Sequence, residues 1–298
     1  VATGGEDGKI KLWNTRSCYC YATFTEHMAA VTAVKFCKNS SVLISASKDG
    51  TIRAYDLVRY RNFRTFTTPF PVQFSCLSVD ASGDLIVAGC SDSFELFVWS
   101  MATGSLVEVL SGHEGPICGV GFDAMGHLIA SCSWDKSVRL WDIYSEERQV
   151  GIWMFPSEPQ CLAYAKDGKQ IAVSLLNGDI AVLLPGSQIQ QQTISAKWDI
   201  SGGRRMNDRF TANNSSLSKY FTSLDFSPDG MHLIGGGNSK WICLYDVEQG
   251  VLVKKWATTR NRSIDGVLDK LNNKNCRPDG LNQIALEKEQ STAKNSEL

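Results

Sequence analysis

Residues 128–142 read LIASCSWDKSVRLWD, and this stretch decides the fold. It begins with a short β-prone run, passes through a polar turn at Asp135-Lys136, and ends in a second β-prone run that closes on Trp141-Asp142. Aspartate suits a tight turn because its side chain can bond to its own backbone and it tolerates positive φ. The stretch therefore predicts a β-hairpin.

The same pattern recurs along the chain at a nearly constant step. The aromatic that closes the second strand is found at Trp13, Tyr55, Trp99, Trp141 and Tyr245, and Leu183 holds the place in a degenerate copy. The steps between these six positions are 42, 44, 42, 42 and 62 residues. No helical period occurs before residue 260. We expect an all-β chain of short strands repeated about every 42 residues.

A repeat of this length that ends in Trp-Asp resembles the WD repeat, which forms one four-stranded blade of a β-propeller. The resemblance implies a WD-repeat β-propeller with about six blades visible of an expected seven, the first one incomplete. We predict that residues 1–257 form the propeller, with an insert at about 185–219 between blades five and six. Residues 258–298 are polar and lack aromatics, which predicts a linker or tail.

Two repeats carry polar residues that, in WD proteins, form a buried hydrogen-bonded chain within one blade. The first set is His113, Ser131, Asp135 and Trp141, and the second is His27, Ser45, Asp49 and Tyr55. A serine, a histidine and an aspartate could also form a catalytic triad. The trio recurs at equal blade positions, however, and an enzyme does not need its triad twice. We interpret both sets as structural, and expect no catalytic, cofactor-binding or metal-binding residue.

The composition narrows the class of protein further. A formal net charge of −1 gives no general attraction to nucleic acid, so any RNA contact must come from a local patch. The chain has no apolar run long enough to span a membrane. Most of the ten cysteines lie singly in strand-like runs, which favours a reduced intracellular compartment. The opening residues look like mid-strand, so we expect the chain to be truncated at its N-terminus.

Two arginine-rich segments are candidate partner-binding sites. Arg204, Arg205 and Arg209 lie in the predicted insert, and they could bind phosphate or carboxylate groups. Arg59, Arg61 and Arg64 alternate with aromatics in a predicted outer strand, and they could bind RNA through charge and stacking. The alternatives are a solvated loop for the first segment and a solvated sheet edge for the second.

Several segments go beyond a generic WD repeat and are similar to the periodic tryptophan protein 2 family. These are residues 56–66 (DLVRYRNFRTF), 91–100 (SDSFELFVWS), 199–204 (DISGGR), 236–246 (GGNSKWICLYD) and 261–268 (NRSIDGVL). Members look like tandem propellers followed by a helical region, and act in the nucleolar small-subunit processome within the UtpB complex.

The resemblance implies a non-catalytic scaffold for pre-rRNA processing and small ribosomal subunit assembly, located in the nucleus and nucleolus. Its expected partners are other WD-repeat and processome proteins, and pre-rRNA and small nucleolar RNA, contacted directly or indirectly. No membrane and no small-molecule substrate are expected.

The alternative function comes from the end of the first repeat. Trp13-Asn14-Thr15-Arg16 is similar to the W-D-x-R box with which WD-repeat substrate receptors bind cullin-type ubiquitin ligases. Asn14 replaces the acidic residue of that box, and Arg16 could equally be an ordinary turn residue.

Overall fold

The computed structural model describes residues 1–37, 41–145, 147–186, 189–200 and 219–258. These residues form one three-stranded and five four-stranded antiparallel sheets, so the chain is all-β, as predicted, with the blade-like sheets of a propeller. Strands that are consecutive in sequence are also neighbours in each sheet, and each sheet is one blade.

The strands of blades one to three are as follows. Blade one contains β1 (Ala2–Gly4), β2 (Ile10–Trp13) and β3 (Cys20–Phe24). Blade two contains β4 (Val31–Phe36), β5 (Val42–Ser47), β6 (Thr51–Asp56) and β7 (Arg61–Thr67). Blade three contains β8 (Phe74–Val79), β9 (Leu85–Cys90), β10 (Leu96–Ser100) and β11 (Leu106–Leu110).

The remaining strands complete blades four to six. Blade four contains β12 (Ile117–Phe122), β13 (Leu128–Ser133), β14 (Ser137–Asp142) and β15 (Gln149–Met154). Blade five contains β16 (Pro159–Tyr164), β17 (Ile171–Leu175), β18 (Asp179–Leu184) and β19 (Ile189–Ser195). Blade six contains β20 (Phe221–Phe226), β21 (His232–Gly237), β22 (Trp241–Asp246) and β23 (Val251–Ala257).

A β-bulge marks the repeat aromatic in the first five blades. The register shifts just before Trp13, Tyr55, Trp99, Trp141 and Leu183, where the third strand of each repeat pairs with the outermost strand. A bulge bends and twists a strand locally. Because the bulge also precedes Leu183, that leucine occupies the position of the missing aromatic.

The core lies between the faces of neighbouring sheets. In one cluster, Ile44 and Phe66 of blade two pack with Phe74, Ile86 and Trp99 of blade three, and all five are fully buried. The inner strands β5 and β9 of these two sheets are therefore buried on both faces. In β7 and β11 only alternate residues are half-buried or buried, as the twofold period of a strand requires.

Two details of the region between blades five and six differ from the sequence prediction. β19 pairs with β18 as the fourth strand of blade five, so the extra residues begin after Ser195 and not near 185. A single helical turn, α1 (Lys197–Ile200), follows, and four residues are too few to produce a helical period in the sequence.

The compact unit of the fold is Val1–Trp256, and Ala257–Leu298 form a second unit. Only Ala257 and Thr258 of the second unit are among the described residues. The linker or tail interpretation of 258–298, the exact domain limits and the seventh blade stay predictions.

Candidate partner-binding surfaces

The polar set of blade four is a connected chain of hydrogen bonds. His113 Nδ1 lies 2.8 Å from Asp135 Oδ2, and His113 Nε2 lies 2.7 Å from Ser131 Oγ. The Trp141 indole N–H donates to the same Ser131 oxygen at 2.8 Å. Asp135 also accepts a 2.6 Å bond from the Ser137 hydroxyl. This pattern fits a neutral imidazole that carries its proton on Nδ1, because Ser131 can then donate to Nε2.

Burial and hydrogen bonding together determine the protonation states of His113 and Asp135. It lowers the pKa of His113, because solvation of the imidazolium is lost and Asp135 compensates only partly. Burial alone would raise the pKa of Asp135, but hydrogen bonds from Ser137 and His113 outweigh it and lower that pKa to about 2. The folded protein therefore holds a neutral histidine beside an ionised aspartate.

The same geometry is unsuited to nucleophilic catalysis by Ser131. Its side chain is fully buried, and its oxygen is already engaged by His113 and Trp141. A serine nucleophile must lie exposed to the substrate carbonyl, with its oxygen free to attack. The set instead links β13 and β14 to the loop before β12, which is a structural role.

Blade two repeats the first three members of this set but not the fourth. His27 bonds Asp49 at 2.8 Å and Ser45 at 2.7 Å, and burial lowers its pKa as in blade four. The Tyr55 hydroxyl is buried and finds no partner with hydrogen-bond geometry in the described part of the chain. A phenol carries its hydroxyl beyond the position of an indole N–H, so Glu26 and Ser45 lie near the Tyr55 hydroxyl without hydrogen-bond geometry, and burial raises its pKa.

The strand that precedes the aromatic strand in each repeat shows what decides this bond. The hydroxyl partner lies ten residues before the aromatic, as Ser131 does for Trp141. In blade one, Thr3 occupies this place and accepts from Trp13 Nε1 at 2.8 Å. In blade three, Gly89 occupies it, and Trp99 donates instead to the Thr67 carbonyl at 3.4 Å. The sequence analysis did not detect Thr3, although the ten-residue separation identifies it.

The three candidate arginines of blade two differ in their surroundings. Arg64 is half-buried and donates to the carbonyls of Met101 and Ala102, the latter at 2.7 Å, so it joins blade two to blade three. Arg59 is exposed and pairs loosely with Asp56 at 3.9 Å, and Arg61 is exposed. Only Arg59 and Arg61 are therefore available to a partner at this edge.

An exposed aromatic pair lies beside these arginines. Tyr60 and Tyr21 are each 53% exposed, with ring centroids 6.2 Å apart in an edge-to-face arrangement. Tyr60 has φ 51°, at the turn position where blades three and six place Gly104 and Gly250. A bulky residue with positive φ is strained, and such strain is concentrated at functional positions.

The turn that carries the ligase-like box has an ordinary explanation. The Asn14 side-chain oxygen accepts the Arg16 N–H at 2.9 Å, and Arg16 is exposed. Asp142 and Asp246 cap the corresponding turns of blades four and six in the same way. The capping role alone accounts for Asn14 at this position.

The second group of candidates, Arg204, Arg205 and Arg209, lies outside the described residues. The sequence around that insert has a feature that the sequence analysis missed. Three Lys-Trp dipeptides occur there, at positions 197–198 in α1, 240–241 at the entry to β22 and 255–256 in β23. The signal in the sequence was that these are the only lysines followed by tryptophan in the chain.

Other classes of site were searched for within the described residues. No group of three or more His, Cys, Asp or Glu side chains there is arranged to hold a metal ion. None of the described helices is long and apolar enough to cross a membrane. All nine cysteines of the described part are free thiols.

Comparison with known proteins places the chain among WD-repeat proteins. The family model for the WD domain, G-beta repeat, matches residues 18–56, 104–142 and 209–246. The periodic tryptophan protein 2 homolog of Dictyostelium discoideum is 50% identical over 90% of this chain, and periodic tryptophan protein 2 of Arabidopsis thaliana is 46% identical over 92%. A more distant relative, human pre-mRNA-processing factor 17, is 25% identical over 85%.

The chain covers 29% and 30% of the first two relatives and 40% of the third, so it spans less than half of each. The match to the first two nevertheless runs along nearly all of this chain, including blades without the full WD signature. The chain is thus similar to periodic tryptophan protein 2 along almost its whole length.

Proposed function

We propose that the chain is part of a non-catalytic scaffold in ribosome biogenesis, which acts in the small-subunit processome during pre-rRNA processing. The observation that carries the proposal is the similarity to periodic tryptophan protein 2 along about nine tenths of the chain. The protein partners implied by this proposal are other WD-repeat and processome proteins within the UtpB complex. The RNA partners are pre-rRNA and small nucleolar RNA, contacted directly or indirectly. The site of action is the nucleolus.

The propeller architecture supports a scaffold function because it offers several separate binding surfaces on one rigid body. Buried hydrogen bonds within blades and apolar cores between them fix the position of each edge. The outer strands β7 and β11 expose side chains at alternate positions, which a partner could bind. The formal net charge of −1 suits a scaffold better than a main RNA binder, whose affinity depends on many phosphate contacts.

Depletion of the full-length protein tests the proposal. We expect unprocessed precursor RNA to accumulate and mature small-subunit rRNA to fall, while large-subunit rRNA is made almost normally. The ratio of small to large subunits in sucrose gradients measures this. An unchanged ratio would overturn the proposal, and co-purification with ligase adaptors would then favour the substrate-receptor alternative.

A further inference from the structure

An open groove lies on blade three, between the loop that leads into β8 and the turn between β9 and β10. Its volume is about 530 Å³, which is in the range of clefts that bind ligands. Apolar side chains form most of its lining, and they include Phe70, Pro71, Phe97 and Val109. The Phe70 ring is 76% exposed and Val109 is 39% exposed. The groove therefore presents apolar surface to solvent, as binding sites do.

The groove accompanies a departure of blade three from the repeat. Phe70 lies 22 residues before Asp92, which is the separation of His113 from Asp135 in blade four. In blade four the histidine bonds the half-buried aspartate, whereas a phenyl ring offers Asp92 no hydrogen bond. Asp92 is exposed, and within the described residues its carboxylate accepts one weak bond, from the Ser91 hydroxyl at 3.4 Å. The aromatic ring and the carboxylate are thus both open to a partner.

A second carboxylate lines the same groove. Glu95 is half-buried, and in the described part of the chain its carboxylate has neither a hydrogen bond nor an ion pair. No lysine, arginine or histidine is among the residues that line the groove. A half-buried carboxylate loses part of its hydration, and a cation that enters the groove would compensate for that loss. The lining combines an apolar wall with two negative charges.

We propose that this groove binds a linear segment of a partner protein in which an arginine lies next to an apolar residue. The arginine stem would pack on the apolar wall, while its guanidinium forms charged hydrogen bonds with Asp92 and Glu95. The exposed Phe70 ring offers a face on which a guanidinium can stack. The neighbouring apolar residue would cover the part of the groove that is lined by Phe97 and Val109.

The charges of the groove favour this occupant over others. Asp92 and Glu95 would repel the phosphates of an RNA. A wholly apolar peptide would cover Glu95 without giving it a cation. An arginine next to an apolar residue suits both parts of the lining. The inference rests on the proposed function, because it gives the scaffold a docking groove for one of its protein partners.

A phage-displayed library of random peptides tests the groove, with the full-length protein as bait. Counter-selection against the Asp92→Asn/Glu95→Gln variant retains peptides whose binding depends on the two carboxylates. We expect these peptides to share an arginine next to an apolar residue. A selection that yields no carboxylate-dependent peptide, or only ones without arginine, would overturn the proposal.

Fluorescence anisotropy of a labelled copy of one selected peptide then measures the individual contacts. Asp92→Asn/Glu95→Gln should weaken binding about tenfold near 0.15 M salt and much less near 1 M salt, where the charges are screened. Phe70→Ser should also weaken binding about tenfold, because the stacking surface is lost. Citrulline in place of the peptide's arginine should weaken binding to the wild type about tenfold but have little further effect on the carboxylate variant. Additive losses would contradict the proposed contact.

Two matched controls separate the groove from general effects of charge and exposure. Asp84→Asn/Glu248→Gln removes two exposed carboxylates outside the groove. Met125→Ser removes a side chain that is 79% exposed in the turn after β12. Both controls should bind the peptide like the wild type, and equal weakening by either control would overturn the site.

Thermal melting must show that each variant folds. If depletion lowers small-subunit rRNA but the selection yields no arginine peptide, the groove is wrong and the proposed function stands. If the peptide binds as expected but the ratio of subunits is unchanged on depletion, the groove stands and the proposed function fails.

Discussion

The two buried polar sets offer a direct measurement of one hydrogen bond, through Ser131→Ala in blade four and Ser45→Ala in blade two. Both serines are fully buried, both bond a histidine at 2.7 Å, and both changes remove only an oxygen. They differ in the aromatic partner, because Trp141 donates to Ser131 whereas the Tyr55 hydroxyl lies near Ser45 without hydrogen-bond geometry.

The structure gives the expected magnitudes. Ser45→Ala leaves one buried group, His27 Nε2, without a partner, which should cost about 1–2 kcal/mol. Ser131→Ala leaves both His113 Nε2 and the Trp141 indole N–H without partners, so it should cost about 2–3 kcal/mol. The predicted difference is about 1 kcal/mol.

Urea denaturation followed by far-UV circular dichroism measures the two changes in the free energy of unfolding. The comparison requires equal m-values, since a changed slope would mean a changed denatured state. Equal costs for the two substitutions would refute the reasoning, because the indole bond would then contribute nothing. A costlier Ser45→Ala would show that Tyr55 depends on Ser45 in a way its geometry does not reveal.

The structure leads to three further predictions about stability. Lowering the pH below 6.5 should reduce the melting temperature, because the unfolded chain then takes up protons on its histidines whereas His27 and His113 stay neutral in the folded protein. The stability that these two neutral histidines contribute is therefore complete above pH 6.5 and falls below it. A His27→Gln/His113→Gln variant should lose this pH dependence of the melting temperature. Arg64→Ala should cost about 1–2 kcal/mol in urea titrations, and Arg61→Ala within about 0.5 kcal/mol, because only Arg64 bonds carbonyls of the next blade. Cys18→Gly should raise the melting temperature by relieving a φ of 53°, a stabilisation of up to about 1 kcal/mol.

The repeat made the blades predictable from the sequence. Turn residues, strand runs and the closing aromatic advance together, and the bulge before Leu183 shows that even the degenerate copy was aligned correctly. The hairpin turn of blade three was harder to predict. It uses five residues between β9 and β10, and its left-handed residue is Phe94. Nothing local distinguishes Phe94 from Ser93 as the residue that takes positive φ.

Contacts between blades were not predictable from a single repeat. Arg59, Arg61 and Arg64 look equivalent in the sequence, yet only Arg64 reaches carbonyls that lie 37 and 38 residues further along the chain. Likewise, Tyr55 looks like a conservative replacement for tryptophan, and only the structure shows that its hydroxyl does not complete a hydrogen bond to Ser45. These outcomes depend on tertiary geometry that pattern and spacing do not encode.

The loss of the internal polar set in blade six explains how α1 is held against this blade. Gly235 lies ten residues before Tyr245, where blade four has Ser131, so no side chain is present to accept a bond inside the blade. A Cβ at Gly235 would come within 2.9 Å of the Phe221 ring, which excludes serine unless that ring moves. The Tyr245 hydroxyl instead bonds Asp199, and this bond holds α1 against blade six. Ile200 of α1 is fully buried in the same apolar cluster as Phe221 and Tyr245, so the small residue that removes the bond inside the blade leaves the tyrosine to fasten the turn that follows blade five.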